Sequence, residues 1–245
     1  MKIVCKKGII LGKTRFKESS LIVRTFTEDG SLVSLMFKGA LRGKTNINAR
    51  LLPFALLEFV FYVKSERSVH TASEVSVVQD FSEDISEYES QVRVAKYIRK
   101  VASLLKPCQS IPELFDITIA LLRGWKELSN VPDDILWAGF MLKAMTFSGF
   151  APAISLCASC GARLDDVGAP SFSPATGGFV CADCPPPTDA IATTNKIIET
   201  CQIMLSNPFK KYGKIHISRS EMKKTKEVLE KFWLYHIGTD ERRRD

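Results

Sequence analysis

The sequence predicts an α+β protein: a small five-stranded barrel at the amino end, then helices interrupted by a cysteine-rich insert. Three observations carry that expectation. Up to residue 81, short runs rich in Val, Ile, Phe and Thr are separated by turn residues, the signature of strands. From residue 85 the apolar positions recur at three- and four-residue steps, the period of a helix. Between residues 153 and 187 neither period holds, and four of the seven cysteines fall there.

The strand runs are Val4 to Phe16, Leu21 to Phe26, Leu32 to Phe37, Phe54 to Val63 and Ser68 to Phe81. Glu28-Asp29-Gly30 separates the second from the third, and Asp-Gly accepts the positive φ angles of a tight hairpin. Five short strands carrying one basic loop fit a small closed barrel, and an OB-fold leads among such barrels. Residues 1–81 are therefore expected to form one module, and residues 82–245 a helical domain that carries the insert 153–187.

The first helix shows Ile85, Tyr88, Val92, Ala95, Ile98, Ala102 and Leu105 at helical spacing and is closed by Pro107. Ser110-Ile111-Pro112-Glu113 reads as a capping box opening the next, with Leu114, Ile117, Leu121 and Trp125 on one face. Asp133 and Asp134 open ILWAGFMLKAMTFSG, apolar nearly all round, which predicts a buried central helix ended by Gly149 and Pro152. After the insert and the stiff Pro185-Pro186-Pro187, helical period resumes near Thr194 with Ile197, Ile198, Cys201, Met204 and Leu205. A last helix opens on the box Ser218-Arg219-Ser220-Glu221, and the tail TDERRRD is expected to be loose.

Cys157-Ala158-Ser159-Cys160 and Cys181-Ala182-Asp183-Cys184 form two C-x₂-C pairs with 20 residues between them. Two intervening residues let both thiolates of a knuckle reach one ion, and two knuckles complete a tetrahedron. Gly161 follows the first pair, where such a turn needs a permissive backbone. The pattern predicts Zn²⁺ held by Cys157, Cys160, Cys181 and Cys184. A closed four-thiolate site leaves no position for water, so the ion's role is structural. A thioredoxin-like redox pair lacks its strand-to-helix context here, whereas an iron–sulfur cluster satisfies the same four thiolates and is separated by metal analysis. Cys5, Cys108 and Cys201 stand alone and read as small core or surface residues.

Composition narrows the function. With 45% hydrophobic and 25% charged residues, the chain is that of an ordinary globular protein. No run of 18 apolar residues exists, the longest being broken by Pro53 and Glu58, so no membrane span is expected. The opening MKIVCKKGIILGK is too short in its apolar part for a secretory signal, which predicts a cytoplasmic protein with reduced thiols. Net charge is +7, and it is uneven: residues 1–70 hold 13 Lys and Arg against 5 Asp and Glu, and the remainder is near neutral. A basic module on a neutral body predicts an anionic polymer as partner, nucleic acid before any other.

The basic loop FKGALRGKTNINARLLPF sharpens this. Gly39-Ala40-Leu41-Arg42-Gly43-Lys44-Thr45 is one residue short of G-x-x-x-x-G-K-[ST]. A working P-loop also needs a following helix whose N-terminus meets the phosphates, and Pro53 breaks the segment here. As a barrel loop the segment offers Lys38, Arg42, Lys44 and Arg50 to a phosphate backbone, and Lys13, Arg15, Lys17 and Arg24 on the earlier strands continue that surface. Phe16, Phe26, Phe37 and Phe61 stand nearby as candidates for base stacking, each against the plainer reading of core packing. The three histidines lie far apart with no nucleophile pattern, so no enzyme is expected.

With these pieces in this order, the chain resembles the RecO recombination-mediator family of bacteria. The likeness rests on KKGIILGKTRFKESSLIVRTFTEDGSLVSLMFKGALRGK, LLPFALLEF, the CASCG and CADC pairs, and KFWLYHIG. It implies an amino-terminal OB-fold and a helical domain embracing a structural zinc ribbon. It further implies binding of single- and double-stranded DNA, annealing of complementary strands, and work with RecR and single-strand-binding protein to load RecA at gaps. By position, Lys38, Arg42 and Lys44 match the family's basic loop, and the four paired cysteines its zinc ligands. Two alternatives stay in view: a P-loop-like nucleotide-binding enzyme, and a zinc-ribbon module that contacts acidic protein.

Overall fold

The computed structural model of the chain describes residues 2–42, 47–63, 68–165 and 170–238. Five strands form its first architecture: β1 (Lys2–Phe16), β2 (Ser20–Thr27), β3 (Leu32–Phe37), β4 (Ala55–Val63) and β5 (Val69–Asp80). They close in the order β1-β2-β3-β5-β4, with β3 and β5 parallel and the other pairs antiparallel. The fold class is α+β with an OB-like five-stranded barrel, as the alternation predicts. Each strand end lies within two residues of its expected place.

Closure depends on β1. Lys2–Gly8 pairs with β4 and Gly8–Phe16 with β2, and a register shift between Ile10 and Gly12 falls within the ladder to β2. Alternate residues then fill the interior: Ile10, Leu21, Val23, Leu35, Phe37, Leu57, Phe59, Phe61 and Val75 are all buried. From α1 (Ile47–Arg50) only the half-buried Ile47 packs against that core, and the buried Leu51 just after the helix belongs to it. The β2–β3 hairpin closes through Thr27 N–H to the Ser31 carbonyl at 3.0 Å, with Gly30 at φ +79°. A Cβ on Gly30 would stand 2.1 Å from the Ile111 carbonyl carbon, so the glycine serves both the turn and the chain packed against it.

By compactness the chain divides into Met1–Lys126 and Glu127–Asp245. The change from strands to helices comes earlier, after residue 81. The difference arises because α2 (Tyr88–Leu104) and α3 (Pro112–Arg123) belong with the barrel. Ile111 N–H donates to the Gly30 carbonyl at 3.0 Å, and Phe26 meets Phe115 edge to face at 5.3 Å. Trp125, at the head of the single turn α4 (Trp125–Leu128), packs on Tyr97 of α2.

Two local expectations are corrected. The buried face of α2 is Val94, Tyr97, Ile98, Val101 and Leu104, whereas Tyr88 and Val92 are exposed. There is no capping box at Ser110: α3 begins at Pro112, its N-cap is Ile111, and the Ser110 hydroxyl donates to the Asp29 carbonyl.

The second unit is built round α5 (Asp133–Phe147), every residue of which from Ile135 to Met145 is buried. Around it lie α6 (Asn195–Ser206), a 3₁₀ segment Phe209–Lys214, and α7 (Arg219–His236). The box at Ser218 is present, with its hydroxyl accepting from Glu221 N–H and the Glu221 carboxylate accepting from Ser218 N–H. The end of α6 is closed by side chains. Pro208 has no N–H for the Met204 carbonyl, which accepts instead from the Tyr212 hydroxyl at 2.5 Å. The next carbonyl, Leu205, accepts from Lys143 Nζ at 2.7 Å. Three short strands, β6 (Ser171–Ser173), β7 (Gly178–Val180) and β8 (Ile191–Ala192), pair in the order β7-β6-β8 inside and just beyond the expected insert.

Candidate nucleic-acid interface and metal centre

The metal centre follows from two tight turns. Cys157 and Cys160 bracket one, in which Gly161 N–H returns to the Cys157 carbonyl at 2.9 Å and Gly161 takes φ +76°. Cys181 follows β7 directly and begins the second, closed by Cys184 N–H to the Cys181 carbonyl at 3.2 Å. All four Sγ atoms lie within 4.8 Å of one another. Cys157 to Cys184 is 4.0 Å and Cys160 to Cys181 is 3.7 Å. Ligands about 2.3 Å from a tetrahedral zinc stand about 3.8 Å apart, so the spacing fits such an ion.

The electrostatics of the cluster suit a cation. Burial raises the Cys157 thiol, but N–H groups of Cys160, Cys181 and Ser159 aimed at the sulfur reverse this and bring it down to about 6. Cys184 is pushed up to about 12, first by its hydrogen bond with Cys160 and then by that with Cys181. Four sulfurs this close cannot all ionise by themselves, and a divalent ion is what allows it. Cys201 lies elsewhere, fully buried, its thiol pushed up to about 12 by burial, and is a core residue. Cys5 and Cys108 are exposed.

The basic residues divide by the register of β1. Gly12, Thr14 and Phe16 pair with Arg24, Ile22 and Ser20 on the outer wall. Lys13 and Arg15 pair instead with Val23 and Leu21, whose side chains enter the barrel, and so sit at its rim. Lys13 Nζ donates to the Leu51 carbonyl at 2.9 Å, which ties the rim to the segment just after the exposed Arg50. Arg24 is half-buried on the outer wall, two rows from Phe16. Lys44 lies outside the described residues.

Lys17, Lys38 and Arg42 come together. They line one open cleft of about 740 Å³, with Phe16, Ser20 and Met36 as its wall. Glu18 is the one acidic residue of the lining, which leaves the cleft cationic. Among the described residues no carboxylate forms an ion pair with Lys17, Lys38 or Arg42, so their charges face solvent. Three cations against one carboxylate round a concave surface attract a polyanion.

The model described as Recombination protein O N terminal matches residues 1–81, and that described as Recombination protein O C terminal matches residues 94–245. The chain belongs to the RecO family. It is similar to the DNA repair protein RecO of Rubrobacter xylanophilus, 29% identical over 187 residues that cover 75% of this chain and 72% of that one. The DNA repair protein RecO of Caldicellulosiruptor bescii is 26% identical over 229 residues, covering 93% and 91% of the two chains. That of Caldicellulosiruptor saccharolyticus is 26% identical over 220 residues, covering 90% and 87%.

Among the described residues, the helix next after β3 is α1, whose four residues are too few for aligned N–H groups to cradle a triphosphate; Gly43, Lys44 and Thr45 lie outside the described residues. No described helix is long and apolar enough to cross a membrane. Sequence reasoning missed the part played by Ser20 and Met36 in the cleft wall. The hairpin register could have found them, since both stand on the outer face between the basic positions.

Proposed function

We propose that this RecO-family chain is a non-enzymatic DNA-binding mediator of DNA repair and recombination. Its amino-terminal module, residues 1–81, grips the phosphate backbones of single- and double-stranded DNA. Residues 82–245 supply the helical body, stiffened at the insert 153–187 by a structural Zn²⁺ on Cys157, Cys160, Cys181 and Cys184. The observation that carries the reading is the cationic cleft of Lys17, Lys38 and Arg42 on a barrel that belongs to this family. Lys13, Arg15, Arg24, Lys44 and Arg50 extend the grip. Binding is driven by release of counterions, which gives affinity without sequence choice.

Bringing two coated strands to one surface lets complementary strands anneal without nucleotide hydrolysis. The physiological setting is the bacterial cytoplasm. There the chain works with RecR and single-strand-binding protein, so that RecA is loaded at gaps. Fluorescence anisotropy of a labelled single strand tests the grip. K38A/R42A is expected to weaken binding about thirtyfold at low salt while leaving the melting temperature unchanged, two phosphate contacts being worth roughly 1 kcal/mol each. An unchanged affinity overturns the assignment.

A further inference from the structure

Phosphate contacts do not touch the bases, so by themselves they cannot recognise a base that is unpaired. A stacking platform can, since the faces of paired bases are already covered. Of the four phenylalanines near the basic surface, three are committed to the core. Phe26, Phe37 and Phe61 are at most 2% exposed, against Phe115, Phe59 and His70 respectively. Phe16 is 39% exposed, and its ring forms part of the wall of the cationic cleft.

The backbone beside it points the same way. Consecutive side chains on a strand face opposite sides of the sheet, so Lys17 belongs on the far side from Phe16. Lys17 instead takes φ +54°, a left-handed conformation uncommon outside glycine. This brings its ammonium to 5.6 Å from the centre of the Phe16 ring. The turn thus sets a cation over the ring of an exposed aromatic side chain, bringing together the two groups that meet a nucleotide's phosphate and its base.

We infer that Phe16 is a stacking platform for an unpaired base, flanked by Met36, while Lys17, Lys38 and Arg42 hold the adjoining phosphates. The inference rests on the DNA-binding reading and adds a preference for single strands without a preference for sequence, since every base has a π-face.

The test compares oligo(dT) with an abasic strand of the same length, which has the same charge and no bases. The wild-type protein is expected to bind oligo(dT) about five- to tenfold more tightly. F16A is expected to bind both equally, at the wild-type affinity for the abasic strand. F16L, with apolar bulk and no π-face, is expected to follow F16A. F16W restores the preference, and its fluorescence is quenched by oligo(dT) and not by the abasic strand. Circular dichroism melts show each variant folded. An undiminished preference for oligo(dT) in F16A, with binding still weakened by salt, overturns the stacking assignment alone. Failure of the wild-type protein to bind either strand overturns the DNA-binding reading and this inference with it.

Discussion

Gly139 and Tyr212 are in direct contact: a Cβ on Gly139 would stand 2.2 Å from Tyr212 Cε2 and 2.8 Å from its hydroxyl oxygen. The absent side chain on α5 is what admits the ring to the core. Gly139→Ala improves helix propensity by about 1 kcal/mol, but overpacking costs about 1–3 kcal/mol, more at so short a distance. A net loss of about 1–2 kcal/mol is expected, seen as a lower melting temperature. A raised melting temperature contradicts this packing.

The same tyrosine and Lys143 close the end of α6. Tyr212→Phe leaves the Met204 carbonyl without its donor, and Lys143→Met does the same to the Leu205 carbonyl. Each is expected to cost about 1–3 kcal/mol in denaturant unfolding, the penalty of a stranded buried acceptor. For Lys143→Met the loss is partly offset, because burial already lowers the pKa of this lysine and an apolar residue escapes that cost.

Asp29 gives the hairpin a dependence on pH. Burial acts to raise its carboxyl, but hydrogen bonds from Lys6 and Thr27, the Lys6 charge and a bond from Ser31 prevail and bring it from 3.8 to about 2. A carboxylate with a lowered folded pKa stabilises above its unfolded pKa, and the contribution fades as pH falls from about 4 to about 2. With its side chain 43% exposed, solvent screening leaves about 1 kcal/mol. Asp29→Asn is therefore expected to destabilise by that amount at pH 7 and by nothing resolvable near pH 2, measured by urea unfolding across the range.

The cysteine cluster predicts one zinc per chain by elemental analysis. C160S/C184S is expected to lose it, and chelation of the wild-type protein to lower the melting temperature of the carboxyl-terminal unit, since metal binding is folding energy there. Because the cationic cleft is built only from barrel residues, affinity for a single strand is expected to change less than about twofold. Zinc retained in the double variant contradicts the ligand assignment.

What the sequence made legible was set by the length and redundancy of each signal. The strands, the Asp29-Gly30 turn, α5 and the C-x₂-C pairs all repeat their evidence over several residues. The α2 face did not, because two apolar stripes compete. Tyr88, Val92 and Ala95 recur at helical spacing, and so do Val94, Tyr97, Val101 and Leu104, which form the stripe that is buried. Ser110 and Ser218 have the same box spacing, yet only Ser218 caps. Pro112 makes the difference, since the residue before a proline avoids the helical region, and Ile111 sits at φ −135° and cannot be a first helical residue. Strands of two or three residues such as β6 to β8 show no period at all. In the site, spacing located the four thiolates, whereas the grouping of Lys17, Lys38 and Arg42 with Phe16 depends on barrel register and a left-handed turn that no local pattern shows.

The central claim is that cations of the barrel hold the DNA backbone, and the salt dependence of single-strand binding tests it most directly. For single strands the log–log slope is about −0.7 per phosphate neutralised, so K38A/R42A/K44A is expected to flatten it by about 2. A slope identical to that of the wild-type protein contradicts the account.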